Sequence, residues 1–109
     1  SSPKDITYIK NGNRRLIVTE GMFDMLSLME RDKKLRGEND LLILNSLAFV
    51  EKIPGLFENY KSIALYLDND KAGKRAVEIL LEQSPKCSDM SNLYKDYKEV
   101  NAWWMPKKL

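Results

Sequence analysis

The chain has no histidine and one cysteine, Cys87, in 109 residues. That excludes an internal disulfide framework and a zinc site built from several Cys and His ligands. It also removes the imidazole base of a Ser-His-Asp triad. Neither sign of charge is in excess: 18 Lys and Arg against 16 Asp and Glu leave +2, too little by itself to argue for nucleic acid. No apolar run approaches the length of a membrane span. The opening SSPKDITYIK has no apolar signal-peptide core. Both absences favour a cytoplasmic protein with no membrane partner. No GxGxxG follows a strand pattern and there is no GxxxxGK[ST], so a dinucleotide turn or a Walker loop is unsupported. Carboxylates, lysines, hydroxyls or a hard metal are left to carry any chemistry. The start at Ser1-Ser2 without an initiator Met suggests an excised or processed end, and hence a fragment of a longer protein.

What is present suits one small folded domain: 43% of residues are hydrophobic and 31% charged. Ile6 to Lys10 is β-type, and Asn11-Gly12 before Leu16 to Thr19 predicts an N-terminal hairpin. LIVT, Leu16 to Thr19, is continuously apolar until its last residue, which suits a central strand covered on both faces. Met22 to Asp32 is predicted as a helix whose wide apolar face holds Met22, Phe23, Met25, Leu26, Leu28 and Met29. Lys33 to Asp40 is expected to be a helix exit and surface loop. Leu41 to Leu44 is the next buried strand. Short helices are predicted from Leu47 to about Lys52 and from Leu56 to Tyr60, separated by Pro54-Gly55. Ile63 to Leu67 is a strand, followed from Lys71 by a helix that ends at Ser84-Pro85. Ala72, Ala76, Ile79, Leu80 and Gln83 form its stripe, with Val77 alongside. Cys87 to Met90 is a short edge strand, Lys98 to Trp104 a last helix, and Met105 to Leu109 a frayed tail. Strand runs alternating with helical runs imply a mostly parallel α/β sheet, Rossmann-like, with helices on both faces.

In such a sheet ligands bind at the carboxyl ends of the strands. Two strands here end on acids. Glu20-Gly21 closes one, with Asp24 four residues on in the first helical turn. Asp68-Asn69-Asp70 closes the other, and Gly73 follows. Each has a bland explanation. Asp24 suits a helix start, Asp70 an N-cap, and Gly73 with Ala72 close helix packing. Asn45 and Ser46 end a third strand, and either oxygen suits a cap better than a substrate contact. Several acids gathered at one edge resist ionising together, and a divalent cation offsets that cost. Magnesium prefers such oxygen ligands and is often shared with phosphates. A phospho-acceptor aspartate domain is a weaker reading, because no lysine follows a late apolar strand.

LIVTEGMFDMLSL followed by IALYLDNDKAGKRA resembles the Toprim domain of bacterial-type primases, topoisomerases and some nucleases and recombination proteins. Glu20-Gly21 matches its first motif; Asp68, Asp70 and Gly73 match its second, with Asn69 at the variable position. Asp24 matches an acid of primase-like members. Asn45 and Ser46 stand where primases often have a glycine-threonine turn. KEVN, with Lys98 and Asn101, resembles the K-D-x-N end of primase-like proteins of mobile elements, Glu99 replacing the aspartate. The resemblance covers about residues 16–104 of a single domain spanning 1–109. It implies a Mg²⁺ or Mn²⁺ site at Glu20, Asp68 and Asp70, assisted by Asp24, with the same three acids catalytic. Asp89, Asp96 and Glu99 are candidates for a further acid of that site.

Two classes of function follow. One is metal-dependent phosphoryl transfer on nucleic acid. Primer synthesis from nucleotide triphosphates on a DNA or RNA template is preferred within it, and a nuclease or topoisomerase-related domain is the alternative. Replication proteins are the expected partners. The other class is a non-catalytic module that binds nucleic acid or a partner protein.

Overall fold

A computed structural model describes residues 6–48 and 50–108. The strands are β1 (Thr7–Ile9), β2 (Arg15–Thr19), β3 (Asp40–Ile43), β4 (Ser62–Tyr66) and β5 (Cys87–Asp89). They form one sheet in the order β1-β3-β2-β4-β5. Four strands run parallel and β1 alone is antiparallel. The helices are α1 (Met22–Arg31), α2 (Leu35–Glu38), α3 (Lys71–Gln83) and α4 (Val100–Lys108), with 3-10 segments at Val50–Leu56 and Ser91–Tyr94.

Strand residues alternate between two cores, as a pleated sheet requires. Leu16, Val18, Leu42, Ile63, Leu65 and Leu67 face α3 and the Val50–Leu56 segment, meeting Ile53, Phe57, Ala76, Val77 and Leu80. Ile17, Leu41 and Ile43 face the other way, onto Met25 and Leu28 of α1, Tyr94 and Val100 of α4. The central sheet is therefore covered on both sides, which is why β2 and β3 lack the alternation of a half-exposed strand.

The sheet corrects the hairpin. β1 is antiparallel, but its partner is β3, with Tyr8 opposite Leu42. Asp40 supplies the reason. Its carboxylate accepts the N–H groups of Asn11 and Asn13, so the chain after β1 is fastened to the start of β3. The chain does bend at Gly12, with φ +76°, but β3 lies between β1 and β2, so the turn spans a strand instead of closing a hairpin. The loop expected from Lys33 to Asp40 contains α2, pinned by the buried Leu35.

Other boundaries shift. A single 3-10 segment runs through Pro54-Gly55, replacing the two short helices, with Phe57 and Tyr60 buried after it. The helix expected from Leu47 includes residue 49, outside the described residues. α4 continues to Lys108, so Met105 to Lys108 are helical rather than frayed, and Leu109 lies outside the described residues. Within α1 the buried stripe is narrower than expected: Met22, Phe23 and Leu26 are exposed, and Asp24 and Ser27 are buried with Met25 and Leu28. In α3 the stripe is Gly73, Ala76, Val77 and Leu80, leaving Ala72 and Gln83 outside it.

Candidate functional site

β2 and β4 are adjacent and parallel, with Thr19 opposite Tyr66. Both chains therefore leave the sheet at the same edge. Glu20 follows directly after β2, and Asp68 stands two residues beyond β4. The Asp68 N–H donates to Glu20 Oε1 at 3.2 Å, joining the two motifs. Asp68 Oδ1 is buried with no hydrogen-bond partner. An unpaired buried carboxylate oxygen is costly and calls for an explanation. Burial pushes the Asp68 carboxyl up to about 7, and the charges of Glu20, Asp24, Glu99 and Asp70 push the same way. Glu20 is raised as well, mainly by burial, while the Asp68 N–H pulls against it.

The second acid of the later motif turns elsewhere. Asp70 Oδ1 caps α3 by accepting the Gly73 N–H at 2.8 Å. Its Oδ2 lies 3.9 Å from the Lys98 ammonium. Gly73 is required by space, because a Cβ there would sit 2.1 Å from the Asp68 carbonyl oxygen. The first turn of α3 packs onto the backbone of the acid itself. At Gly21 the same Cβ would meet only Asp24 Oδ2, at an ordinary 3.4 Å.

Asp24 is almost wholly buried, and both of its oxygens are engaged. Oδ2 accepts the Gly21 N–H at 3.2 Å and Oδ1 the Asn101 N–H at 3.0 Å. It ties the start of α1 to the start of α4. Burial raises its carboxyl to about 6, with Glu99 adding to the rise and the two N–H groups opposing it. Among the C-terminal acids only one reaches this group. Asp89 accepts the nearby Ser91 N–H and Asp96 lies exposed in the following loop. The charge of Glu99 acts on Glu20, Asp24 and Asp68. Asn45 and Ser46 are exposed at the same edge. Asn45, at φ +60°, donates its N–H to the Glu20 carbonyl and its amide to Thr7 Oγ1. Ser46 Oγ accepts the Ala48 N–H, a local turn contact.

The acids thus share one electrostatic neighbourhood without forming a ready-made cage. Among the described residues, no three Asp, Glu, Cys or His side chains are gathered closely enough to hold a metal ion together. The donor chemistry still fits a hard cation: carboxylate oxygens, one of them buried and unpaired, in a group whose mutual repulsion a positive charge would relieve. A cavity of about 430 Å³ opens beside Asp68, with Asn69, Lys74, Asp89, Ser91 and Lys95 in its lining.

Two residues that sequence reasoning left aside organise this edge. Asn69 donates its side-chain amide to the carbonyls of Tyr94, Tyr97 and Ser91, at 2.9, 3.0 and 3.4 Å. Its backbone N–H donates to the Lys98 carbonyl. Tyr94 is buried and donates its hydroxyl to the Leu67 carbonyl at 2.7 Å. Nothing local in the sequence marks either one, since their partners lie more than twenty residues away.

A Toprim-like family model matches residues 17–103. Among solved structures, the primase fragment of the bacteriophage T7 primase-helicase has a TM-score of 0.66 and 26% identity, covering 85% of this chain and 39% of its own. A second bacteriophage T7 structure shows the lagging-strand DNA polymerase interacting with primase domains bound to an RNA/DNA hybrid and dTTP. A chain in it matches at TM-score 0.57 and 30% identity, over 73% of this chain and 43% of its own. The chain thus spans about two fifths of these T7 chains. A small Toprim domain protein from Bacillus stearothermophilus matches at TM-score 0.61 and 21% identity, over 84% of this chain and 76% of its own, a likeness of fold. No curated protein matches the chain by sequence. The family match takes in the sheet from within β2 through β5, both acidic strand ends and the first turn of α4, and the chain belongs to the Toprim-like family.

Proposed function

We propose that this domain is the metal-dependent nucleotidyl-transfer part of a DNA primase-like protein, one domain of a longer cytoplasmic chain that serves replication of a mobile element. The observation that carries the reading is the unpaired, buried Asp68 Oδ1 beside Glu20, at the edge where two parallel strands end. In this reading Glu20 and Asp68 hold Mg²⁺ or Mn²⁺, and Asp70 and Glu99 flank it. Asp24, with both oxygens engaged, contributes charge. The ion, when bound, supplies the positive charge that steadies a nucleotide triphosphate and acidifies a primer 3′ hydroxyl. Lys98 beside Asp70, and Lys74 and Lys95 in the neighbouring cavity, give phosphate oxygens cationic partners at an otherwise repulsive edge. Template strand and replication proteins are partners of the longer protein.

The topoisomerase alternative needs a tyrosine nucleophile; Tyr94 is buried with its hydroxyl committed to a carbonyl, while Tyr97 is exposed. The non-catalytic reading draws on a specific observation, the lack of a three-acid cage among the described residues. A Mn²⁺ titration followed by NMR line broadening separates the two. Broadening centred on Glu20 and Asp68 in the wild type, lost in D68N/D70N and tightened by a nucleotide triphosphate, is expected. No broadening at millimolar Mn²⁺ would leave the binding module standing. The 109 residues alone are not expected to synthesise primers, because a net charge of +2 offers no basic track for a template strand.

A further inference from the structure

The acidic edge is assembled from two pieces of chain. Glu20 and Asp68 to Asp70 come from the central strands. Lys98 and Glu99 come from the segment that follows β5, the 3-10 segment Ser91–Tyr94 and the turns after it, before α4 begins. That segment has little apolar anchorage of its own. Tyr94 is buried, but Leu93, Lys95, Asp96, Tyr97 and Lys98 are exposed. Its far end is held where Val100 is buried and the Asn101 N–H meets Asp24, and its length is fastened from the other side by the residue between the two acids.

We infer that Asn69 is a positioning residue, a clasp that holds the Ser91–Lys98 segment against the Asp68–Asp70 turn and so sets Lys98 and Glu99 at the acidic edge. The Asn69 side-chain amide meets three carbonyls spread over seven residues, and its backbone N–H meets a fourth. Three carbonyl partners can be answered only by an amide nitrogen, which fixes the orientation of the side chain. Aspartate at this position would present an oxygen to the same carbonyls and repel them. Alanine would leave them facing one another without a donor. The clasp acts through position alone: its nitrogen is spent on carbonyls, while the residues it places carry the charge. Tyr94 is a second fastening, from its hydroxyl to the Leu67 carbonyl, but it acts at the buried end of the segment, away from Lys98.

The inference rests on the proposed metal site, and its test separates the two. In wild-type protein, Mn²⁺ is expected to broaden the amides of Glu20, Asp68 and Glu99 together. In Asn69→Ala the Glu20 and Asp68 amides stay broadened, while Glu99 and Val100 lose at least half of their broadening. Tyr94→Phe, which removes the other fastening, leaves the Glu99 effect in place. A wild type that shows no broadening anywhere fails the metal reading. The clasp then stands or falls on hydrogen exchange, which needs no metal. The residue-69 backbone amide should exchange at least ten-fold faster in Asn69→Ala, with β4 amides unchanged. Unaltered protection at residue 69 together with unaltered Glu99 broadening would overturn the clasp. Should the variant not fold, the wild-type Asn69 carboxamide protons decide the matter. They should exchange far more slowly than those of the exposed Asn92, and equal rates would overturn the inference.

Discussion

Asp40 and Asp68 stand at opposite edges of one sheet, and both are carboxylates drawn in from solvent. At the amino edge Asp40 is almost completely buried and fully answered. It accepts the N–H groups of Asn11 and Asn13 and the Tyr60 hydroxyl, which in turn meets the Tyr8 hydroxyl. Burial alone would raise its carboxyl, but these donors outweigh burial and it titrates below the ordinary range. At the carboxyl edge Asp68 has neighbours of its own sign and one oxygen with no partner, and its carboxyl climbs to about 7. The same side chain is a fastener at one edge and an unmet demand at the other. What separates them is whether nearby groups donate hydrogen bonds or repel, a difference no count of acids reveals.

Replacing Asp40 with alanine should break the molecule more than any change at the acidic edge. It takes the carboxylate acceptor from the buried Tyr60 hydroxyl, leaving that group only Tyr8, and from two loop N–H groups, and it unfastens the loop after β1 from the start of β3. A loss on the order of 3 kcal/mol is expected from the three hydrogen bonds to a buried carboxylate that disappear together, read by urea unfolding. If Asp68→Ala in metal-free buffer costs as much, the contrast between the two edges collapses.

Gly73→Ala comes next. The new methyl must displace the Asp68 carbonyl, 2.1 Å away, and backbone cannot yield as a flexible side chain does. Overpacking of this kind costs about 2 kcal/mol, partly offset by the better helix propensity of alanine. Since the displaced atom belongs to Asp68, Mn²⁺ broadening at Glu20 should fall as well. A stable Gly73→Ala that keeps its Mn²⁺ response would show that the close approach has no bearing on the site.

How much of this the sequence discloses depends on how far apart the partners lie. The placement of Glu20, Asp68, Asp70 and Gly73 at the strand ends and the helix start was legible because these are local features. The two-faced burial of LIVT and LLIL was legible for the same reason. β1 was misplaced because its position is decided by Asp40, nearly thirty residues downstream, and not by the Asn11-Gly12 turn. The exposed faces of Met22, Phe23 and Leu26 were misread because α1 shares its buried side with Asp24 and Ser27, which α4 claims through Asn101. Glu99 could not be told from Asp89 and Asp96 because its place depends on contacts with Asp24 and the Asp68–Asp70 turn, far away in the chain.

Asp68→Asn should have a small effect of the opposite sign from Asp40→Ala. In metal-free buffer near pH 8 it removes a charge that its neighbours repel, and the amide retains polar atoms for the same space. Because the group is partly exposed, solvent screening limits the gain to less than about 1 kcal/mol. A loss of stability at that pH would mean that Asp68 has a protein partner after all, and that the empty oxygen is misleading.

The sharpest comparison is the pH dependence of the metal-free protein. Asp68 and Asp24 each have an ordinary carboxyl value of 3.8 and rise in the fold to about 7 and about 6. Between those limits the folded state binds more protons than the unfolded one, so stability falls as pH rises. The fall should begin near pH 4, be shared by both acids up to about 6, and continue through Asp68 alone to about 7. Asp40 has the opposite sign: its folded value lies below 3.8, so its contribution is lost only as pH drops beneath about 4. Thermal melts from pH 4 to 8 should therefore show a decline in wild type and a shallower one in Asp68→Asn. Millimolar Mn²⁺ binds the ionised acids, so it should raise the melting temperature at pH 8 and do little at pH 5. A wild-type profile that climbs through this window, or a Mn²⁺ effect equal at both ends, would contradict the assignment of the two edges.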